Sequence, residues 1–158
     1  MKLDKKRRRQ YKTNYTKRLI LLKGNVPRLV VRKTNRYIIL QIIESDDARD
    51  SVKYSVNTKE LLKYGWAKDK AGSLKSIPAG YLGGFLLGKK AKRIKRIILD
   101  TGLIPNTKGS RVYAVVKGIA DSGIEIKYDD KVMPSEERIK GNHIKFGEFD
   151  KIKENIKK

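Results

Sequence analysis

The chain of 158 residues contains no cysteine and a single histidine, His143. Without thiols it forms neither a disulfide framework nor a thiolate metal site. One histidine without a nearby group of carboxylates predicts neither a metal centre nor a Ser/His/Asp triad. We therefore expect no metal and no cofactor. The absence of cysteine also fits an intracellular protein, and we expect a cytoplasmic location.

Long apolar runs and acidic side chains are also scarce. No run approaches the roughly 20 apolar residues that span a bilayer, and no signal peptide is visible behind the charged N-terminus. The chain holds 17 Asp and Glu against 39 Lys and Arg, for a formal net charge of +22. Such a surplus destabilises a compact fold through self-repulsion unless a polyanion compensates it. A nucleic-acid partner is therefore predicted, with a basic protein of the membrane surface as the competing interpretation.

The positive charge is concentrated at the start of the chain. Residues 1–36 carry fourteen Lys or Arg and one acid, Asp4. The opening segment has too few apolar side chains to fold alone, so we expect an arm that is disordered when free and orders on RNA. The helical spacing of Tyr15, Leu19 and Leu22 predicts a short helix within it. A solvated tail or a localisation signal is the alternative.

The stretch from Val26 to Ile43 predicts a β-hairpin, because two apolar runs flank a short polar turn. The second run, 37–43, is nearly continuous in apolar residues and predicts a central strand covered on both faces. Cations lie at the ends and turn of this hairpin, with an amide and a ring beside them, and such groups suit phosphates and exposed bases. The cations are Arg28, Arg32, Lys33 and Arg36, the amide is that of Asn35, and the ring is that of Tyr37.

The remaining pattern predicts an α/β fold with a mixed five-stranded sheet flanked by helices. An acidic loop is predicted at 44–50, after the hairpin. The alternation of Val52, Tyr54 and Val56 beyond it predicts a third strand, so that the first three strands form an antiparallel meander. Strand and helix alternate from there, and Ser76 before Pro78 is typical of a helix start. The later predicted elements are a short helix before Gly65, a helix from Ser76 to Arg93, a strand at 96–100, a helix at 112–122, a strand at 124–128 and helices at 134–140 and 144–156.

These elements divide the chain into three parts. We expect a basic RNA-binding arm at 1–25, a mixed α/β core at 26–128 and a helical C-terminal extension at 129–158. The lone Trp66 stands in a turn and is interpreted as a packing residue rather than a base-stacking one.

Two motifs resemble those of enzymes. Residues 83–90 read GGFLLGKK, but a phosphate-binding loop needs Ser or Thr where this chain has Lys90, so we interpret the glycines as letting a helix approach the sheet. Residues 97–102 read IILDTG and resemble the active-site turn of an aspartic protease, which would need a homodimer to supply two carboxylates. Helical patterns on both sides contradict the all-β protease fold, so we interpret Asp100 as bracing the following loop.

Seven sequence motifs follow one another along almost the whole chain. They read RRR with TNYTKRL, PRLVVRKTNRYIILQI, ELLKYGW, AGYLGGFLLGKKA, ILDTGL, KGSRVYAVVKG with ADSGIEI, and PSEERIKGNHI. In this order they resemble the archaeal form of the large-subunit ribosomal protein family that holds 5S ribosomal RNA, number eighteen in the universal large-subunit series.

This resemblance implies a sheet of five strands with the second antiparallel to the rest, and a protein that is not an enzyme. It implies that the arm and hairpin bind 5S rRNA, while other faces contact large-subunit rRNA and neighbouring proteins in the central protuberance. It implies neither a membrane nor a small-molecule substrate. Carried onto this sequence, the RNA contacts fall on Arg7, Arg8, Arg9, Tyr11, Lys12, Tyr15 and Arg18 in the arm, on Arg28, Arg32, Lys33, Asn35 and Arg36 in the hairpin, and on Asn106, Thr107, Lys108, Ser110 and Arg111 in a loop.

The helix predicted after Ser110 would present backbone N–H donors at its N-terminus, which adds a possible phosphate-binding position to that loop. Two alternatives stay open: a basic RNA-binding module outside the ribosome, and a dimeric aspartic protease acting through Asp100.

Overall fold

The computed structural model describes residues 4–46, 49–144 and 146–158 of the chain. The described residues form one mixed sheet of five strands with helices around it, which confirms the predicted fold class. The strands are β1 (Arg28–Lys33), β2 (Ile38–Asp46), β3 (Arg49–Asn57), β4 (Arg96–Asp100) and β5 (Glu125–Ile126). The α-helices are α1 (Lys6–Arg9), α2 (Tyr15–Lys23), α3 (Ile77–Lys90), α4 (Arg111–Asp121), α5 (Glu136–Lys140) and α6 (Phe149–Lys157). Short 3₁₀ segments occupy Thr58–Tyr64, Ala71–Ser73, Asp130–Val132 and Asn142–Ile144.

The strands lie in the order β3-β2-β1-β4-β5. β2 is antiparallel to β1 and β3, whereas β4 is parallel to β1 and β5, so β2 alone opposes the rest as the resemblance implied. The prediction that β2 is the central strand was wrong, because β1 holds that place and buries Leu29, Val30 and Val31. On β2 buried and half-buried residues alternate, so one face of the strand is more exposed than the other. The apolar composition of the strand does not reveal this difference between its two faces.

Several predicted boundaries also differ from the structure. The acidic loop at 44–50 is largely strand, because Glu44 pairs with Ser51 and Asp46 with Arg49, although 47–48 lie outside the described residues. The last strand is only Glu125–Ile126, and the two C-terminal helices begin later than predicted, at Glu136 and Phe149. Short strands and frayed helix ends carry few pattern residues, so their limits are weakly encoded.

Helix α3 lies at the centre of the core. The Ser76 hydroxyl accepts a hydrogen bond from the Ala79 backbone N–H at 3.4 Å, and Pro78 occupies the first turn, which confirms the predicted start. Every residue from Ile77 to Gly88 is buried. Trp66 is buried too, with its ring centroid 4.3 Å from that of Phe146, so its predicted packing role is confirmed.

Glycines bring α3 into close contact with α4. A Cβ on Gly84 would overlap the carbonyl oxygen of Val115, and one on Gly118 would overlap the carbonyl oxygen of Tyr81. Gly83 does face the sheet, where a Cβ would lie 3.1 Å from Leu40 Cδ1. The predicted approach to the sheet is therefore only part of their role, since the tightest approach is between the two helices.

The substitution Gly118→Ala is expected to destabilise the protein by about 1–3 kcal/mol in chemical denaturation. The added methyl meets backbone atoms of α3, including Phe85 N at 3.0 Å, which move only if the helices separate. This cost exceeds the roughly 0.5–1 kcal/mol that Ala gains over Gly within a helix. Gly72→Ala is the matched control, because nothing lies within 4 Å of its Cβ position. Equal stability of the two variants would contradict this packing account.

Candidate RNA-binding surface

The N-terminal arm contains α1 and α2 with a turn at Tyr11, where φ is +51°. Asn14 caps α2 by accepting a hydrogen bond from the Lys17 backbone N–H at 3.0 Å, and the predicted arm helix is confirmed. Tyr11 is 88% exposed, while Tyr15 is half-buried with the Lys5 ammonium 4.6 Å from its ring centroid. Four more of the predicted arm contacts are exposed: Arg7, Arg8, Arg9 and Lys12.

Two cations of α2 fasten the arm to the rest of the protein. Lys17 Nζ donates to Thr101 Oγ1 at 2.8 Å and to the Gly102 carbonyl at 3.3 Å. Arg18 Nη2 pairs with Asp50 Oδ2 at 2.8 Å. Sequence reasoning missed Lys17, because its partners come 84 and 85 residues later and no local pattern indicates them. The arm thus has a defined position against the sheet.

The tip of the β1–β2 hairpin is a tight turn. The Thr34 backbone N–H donates to the Tyr37 carbonyl at 2.9 Å, and the Thr34 hydroxyl donates to the same oxygen at 2.7 Å. Lys33, Asn35 and Arg36 are exposed around this turn. Two cations and an amide are therefore accessible to a ligand on a turn that hydrogen bonds hold in shape.

Arg32 is partly exposed but held in one orientation. Its Nη1 donates to the carbonyl oxygens of Val31 at 2.9 Å and Asp100 at 3.2 Å, and its Nη2 lies 3.8 Å from Asp100 Oδ1. The guanidinium also lies against Gly102, where a Cβ would come within 3.1 Å of it. The end of β4 therefore fixes the orientation of this hairpin cation.

Arg28 differs from the other hairpin cations, because it is only 2% exposed. Its Nη1 donates to Asp100 Oδ2 at 2.8 Å, and its Nη2 donates to Asp50 Oδ1 at 3.0 Å and to Ser45 Oγ at 2.9 Å. The guanidinium is thus used inside the protein, and Arg28 does not present it to a ligand. Sequence reasoning placed Arg28 with the exposed cations because nothing local reveals its two distant carboxylates.

Asp50 and Asp100 are the carboxylates that bind the Arg28 guanidinium, and of the two Asp50 is partly exposed whereas Asp100 is buried. Burial raises the pKa of Asp50, but hydrogen bonds from Ser45 and Arg18 and the charges of Arg18 and Arg28 outweigh it and hold that pKa below its ordinary value. Because folding lowers this pKa, the carboxylate stabilises the fold above a pH of about 4, and its contribution is lost as the pH falls further.

Asp100 also braces the loop that follows β4, as predicted. Its Oδ1 accepts a hydrogen bond from the Gly102 backbone N–H at 2.8 Å, while its Oδ2 accepts from Arg28. An aspartic protease needs two carboxylates that share one proton. A carboxylate bound by a guanidinium and a backbone N–H, at the end of a strand in a mixed α/β sheet, favours the bracing role.

The arm, the hairpin and the loop after β4 enclose one open groove of about 1200 Å³. Arg32 and Lys33 line it from the hairpin, and Tyr15 adds an aromatic ring. The arm supplies most of its cations, and the loop contributes residues 101–105. We call this the arm–hairpin groove. Its basic lining consists of Lys5, Arg7, Lys12, Lys17, Arg18, Arg32 and Lys33.

The third predicted group of contacts lies outside this groove. Asn106, Thr107, Lys108 and Arg111 are exposed, and Ser110 precedes α4. Gly109, with φ at +64°, donates its backbone N–H to the Val132 carbonyl at 2.9 Å, which ties the loop to the C-terminal segment. The structure therefore brings part of the arm and hairpin groups together in the groove and keeps the 106–111 loop as a separate surface. The predicted contacts of those two groups that do not line the groove are Arg8, Arg9, Tyr11, Arg28, Asn35 and Arg36.

Other candidate sites have little support in the structure. The GGFLLGKK stretch lies within α3, so its backbone is helical and does not form a phosphate-binding loop. Across 4–46, 49–144 and 146–158, no group of His, Asp and Glu side chains is arranged to hold a metal ion. Among the same residues no helix is long and apolar enough to cross a bilayer.

Comparison with known proteins assigns the chain to a family. A family model described as ribosomal large subunit proteins 60S L5 and 50S L18 matches residues 1–95 and 89–129. The large ribosomal subunit protein uL18 of Korarchaeum cryptofilum is 47% identical over 145 residues, which cover 90% of this chain and 72% of the relative. The protein uL18 of Caldivirga maquilingensis is 44% identical over 146 residues, which cover 90% of this chain and 69% of the relative. The protein uL18 of Methanoregula boonei is 43% identical over 141 residues, which cover 88% of this chain and 79% of the relative. The chain therefore belongs to the family of large-subunit ribosomal proteins that comprises 60S L5 and 50S L18, whose role in the ribosome is structural.

Proposed function

We propose that this protein binds 5S rRNA through the arm–hairpin groove and anchors it to the large rRNA in the central protuberance of the large ribosomal subunit. The observation that carries the proposal is the convergence of two separately predicted basic segments on one groove. Seven cations and a tyrosine ring line it, and two acids, Asp50 and Asp100, are already engaged with arginines. The groove thus offers positive charge that the protein itself does not neutralise.

The chemistry of the lining matches an RNA backbone with some unstacked bases. Cations that neutralise phosphates release counterions and supply most of the affinity, whereas rings and amides contact bases. Tyr11 has the exposure that stacking requires, and Asn35 presents an amide at the hairpin tip. In this proposal Arg7, Lys12, Lys33 and the exposed Arg36 of the hairpin tip contact phosphates. Tyr11, Tyr15 and Asn35 provide limited sequence readout.

Arg18 and Arg32 enter this proposal as positioned cations. Asp50 holds the first and Asp100 the second, so each guanidinium loses less side-chain freedom when a phosphate binds. Lys17 docks α2 against the loop that follows β4 and so fixes where the arm leaves the core. Arg28 donates to both of these carboxylates from inside the protein, so we do not propose it as an RNA contact.

The 106–111 loop is proposed as a second RNA contact. Lys108 and Arg111 bring positive charge to the N-terminus of α4, where unpaired backbone N–H groups favour a phosphate. Asn106, Thr107 and Ser110 add short polar side chains. Because this loop lies outside the arm–hairpin groove, it would contact a different part of the RNA or a neighbouring protein.

Replacing Lys33 and Arg36 with Ala together is expected to weaken binding to 5S rRNA about tenfold or more, because two accessible charge-assisted contacts are lost. The dependence of log Kd on log salt should also become shallower by about 2. Fluorescence anisotropy with labelled 5S rRNA measures both quantities. The matched control is Lys151→Ala with Lys157→Ala, which removes the same charge from exposed positions on α6.

Equal loss in the two variants would mean that net charge alone determines binding. Equal affinity of the unmodified protein for 5S rRNA and for unrelated folded RNAs would favour the alternative, a general basic RNA-binding module.

A further inference from the structure

An acidic stretch borders the arm–hairpin groove, and the proposed function does not account for it. Four of the chain's 17 acidic side chains fall within residues 44–50. The described part of this stretch belongs to the β2–β3 hairpin, in which Ser45 pairs with Asp50. Of its described residues only Asp50 lines the groove. A carboxylate in a groove that attracts phosphates opposes their binding by repulsion, so its presence there requires an explanation.

Asp100 is the other acid of the groove lining, and the fold itself explains it. Its side chain is 11% exposed, whereas that of Asp50 is 31% exposed. Both oxygens of Asp100 accept hydrogen bonds from groups of the fold, which are the Arg28 guanidinium and the Gly102 backbone N–H. Asp50 is therefore the acid that a ligand in the groove would meet.

Asp50 uses one oxygen for the fold and the other for the groove. Its Oδ1 accepts hydrogen bonds from Ser45 Oγ at 2.7 Å and from Arg28 Nη2 at 3.0 Å. Its Oδ2 accepts from Arg18 Nη2 at 2.8 Å, and the Arg18 side chain is 33% exposed. Ser45 and Arg28 thus hold the carboxylate in place, while Arg18 contacts both the carboxylate and the groove.

Asp50 lowers the positive charge of the groove at this point. The ion-pair network joins Arg18, Arg28 and Arg32 to the two carboxylates of Asp50 and Asp100, which leaves a net charge of +1. Burial opposes ionisation, but hydrogen bonds and the neighbouring guanidinium charges keep the pKa of Asp50 below its ordinary value. Asp50 therefore stays ionised at neutral pH, where RNA binds.

The pair of Arg18 and Asp50 presents a charge that depends on direction. A phosphate that approaches the guanidinium edge away from Asp50 is attracted. A phosphate that approaches from the side of β3 meets the carboxylate and is repelled. Without the carboxylate, Arg18 would be a partly exposed cation on a long side chain, able to turn toward a phosphate in many positions. The carboxylate thus limits where a phosphate can be bound.

We infer that Asp50 is a specificity-determining residue of the arm–hairpin groove, which lowers the affinity for RNA backbones whose phosphates do not match the position that Arg18 offers. This inference rests on the proposed function, since the matching backbone would be that of 5S rRNA. A chain with a net charge of +22 attracts any polyanion. Discrimination between such partners needs a repulsive element as well as attractive contacts, and Asp50 supplies one.

The test replaces Asp50 with Asn in the full-length protein, which removes the charge and keeps an oxygen that can accept a hydrogen bond. Anisotropy measures the affinities for 5S rRNA and for a size-matched unrelated folded RNA at one salt concentration. The affinity for the unrelated RNA should rise about threefold to tenfold, while that for 5S rRNA changes less than about twofold. The salt slope for the unrelated RNA should become steeper by about 1, because Arg18 becomes available to its phosphates.

The matched control is Asp69→Asn, which removes the same charge from an exposed position outside the groove. It should leave the preference for 5S rRNA unchanged. Asp50→Ser is a second variant without the charge, and its smaller side chain does not crowd the hairpin; it should act in the same direction as Asp50→Asn. Affinities are expressed per binding-competent molecule, from titrations at RNA concentrations well above Kd, so that lost stability does not imitate lost affinity.

A purely structural role of Asp50 predicts the opposite sign for the unrelated RNA, because a loosened arm would bind both RNAs more weakly. Such parallel losses, or a preference for 5S rRNA equal to that of Asp69→Asn, would overturn the inference and leave the proposed function standing. No preference for 5S rRNA in the unmodified protein would overturn both.

Discussion

Replacing Arg28 with Met is expected to lower the free energy of unfolding by about 3 kcal/mol, the largest effect that any single side chain of the groove region should produce. The substitution leaves the carboxylates of Asp100 and Asp50 without their shared guanidinium, and the first of these is largely buried. Breaking a buried pair from one side generally costs about 3–5 kcal/mol. We expect the lower end, because Asp100 keeps the Gly102 backbone N–H and Asp50 keeps Arg18.

Urea denaturation with a two-state analysis measures this loss. The control is Lys53→Ala, which breaks the exposed pair with Glu44 at 3.3 Å and should change stability by less than about 1 kcal/mol. Adding Asp100→Asn to Arg28→Met should restore part of the loss, since one uncompensated charge is removed. A loss in Arg28→Met no larger than in the control would show that the buried cluster does not stabilise the fold.

The same cluster connects stability to RNA binding. Asp50 joins Arg28 to Arg18 of the arm, and Asp100 joins it to Arg32 of the hairpin. Loss of Arg28 therefore releases the carboxylates that position two groove cations. Its role in RNA binding is indirect, through the placement of these neighbours.

The second large effect is on salt dependence. If six to ten cations of the groove and arm contact phosphates, the affinity for 5S rRNA should fall about a thousandfold or more between 50 and 200 mM monovalent salt. Each neutralised phosphate releases condensed counterions, and the entropy of that release diminishes as bulk salt rises. Anisotropy titrations at several salt concentrations give the slope directly.

Two comparisons make this measurement specific. Lys33→Ala with Arg36→Ala should reduce the slope by about 2, while Lys151→Ala with Lys157→Ala should leave it unchanged. A slope of only about 1–2 for the unmodified protein would contradict binding dominated by phosphate contacts and would indicate recognition through bases and shape.

Much of the fold follows from local sequence patterns. The apolar runs around the polar turn identify the β1–β2 hairpin, and Ser76 with Pro78 identifies the start of α3. Tyr15 and Leu22 identify the arm helix, although Leu19 of the same predicted stripe is exposed. These features are encoded within a few residues of one another, which is why a single sequence reveals them.

The parts that sequence reasoning missed depend on residues far apart in the chain. Arg28 meets Asp100 across 72 residues, and Lys17 meets Thr101 across 84. The partner of Gly84 is α4 rather than the sheet, a contact that only the assembled fold defines. The place of Arg28 in the hairpin predicted a cation that contacts RNA. In the structure Arg28 is buried, and its charge pairs with carboxylates inside the protein.

Selection of 5S rRNA by the arm and the fold together is the most direct test of the proposed function. The measurement is competitive binding of labelled 5S rRNA against a size-matched folded RNA, with the full chain and with a chain that lacks residues 1–18. We expect a strong preference for 5S rRNA in the full chain and a clear loss of that preference without the arm. Equal binding of both RNAs by both proteins would contradict the account, because charge alone would then explain the affinity.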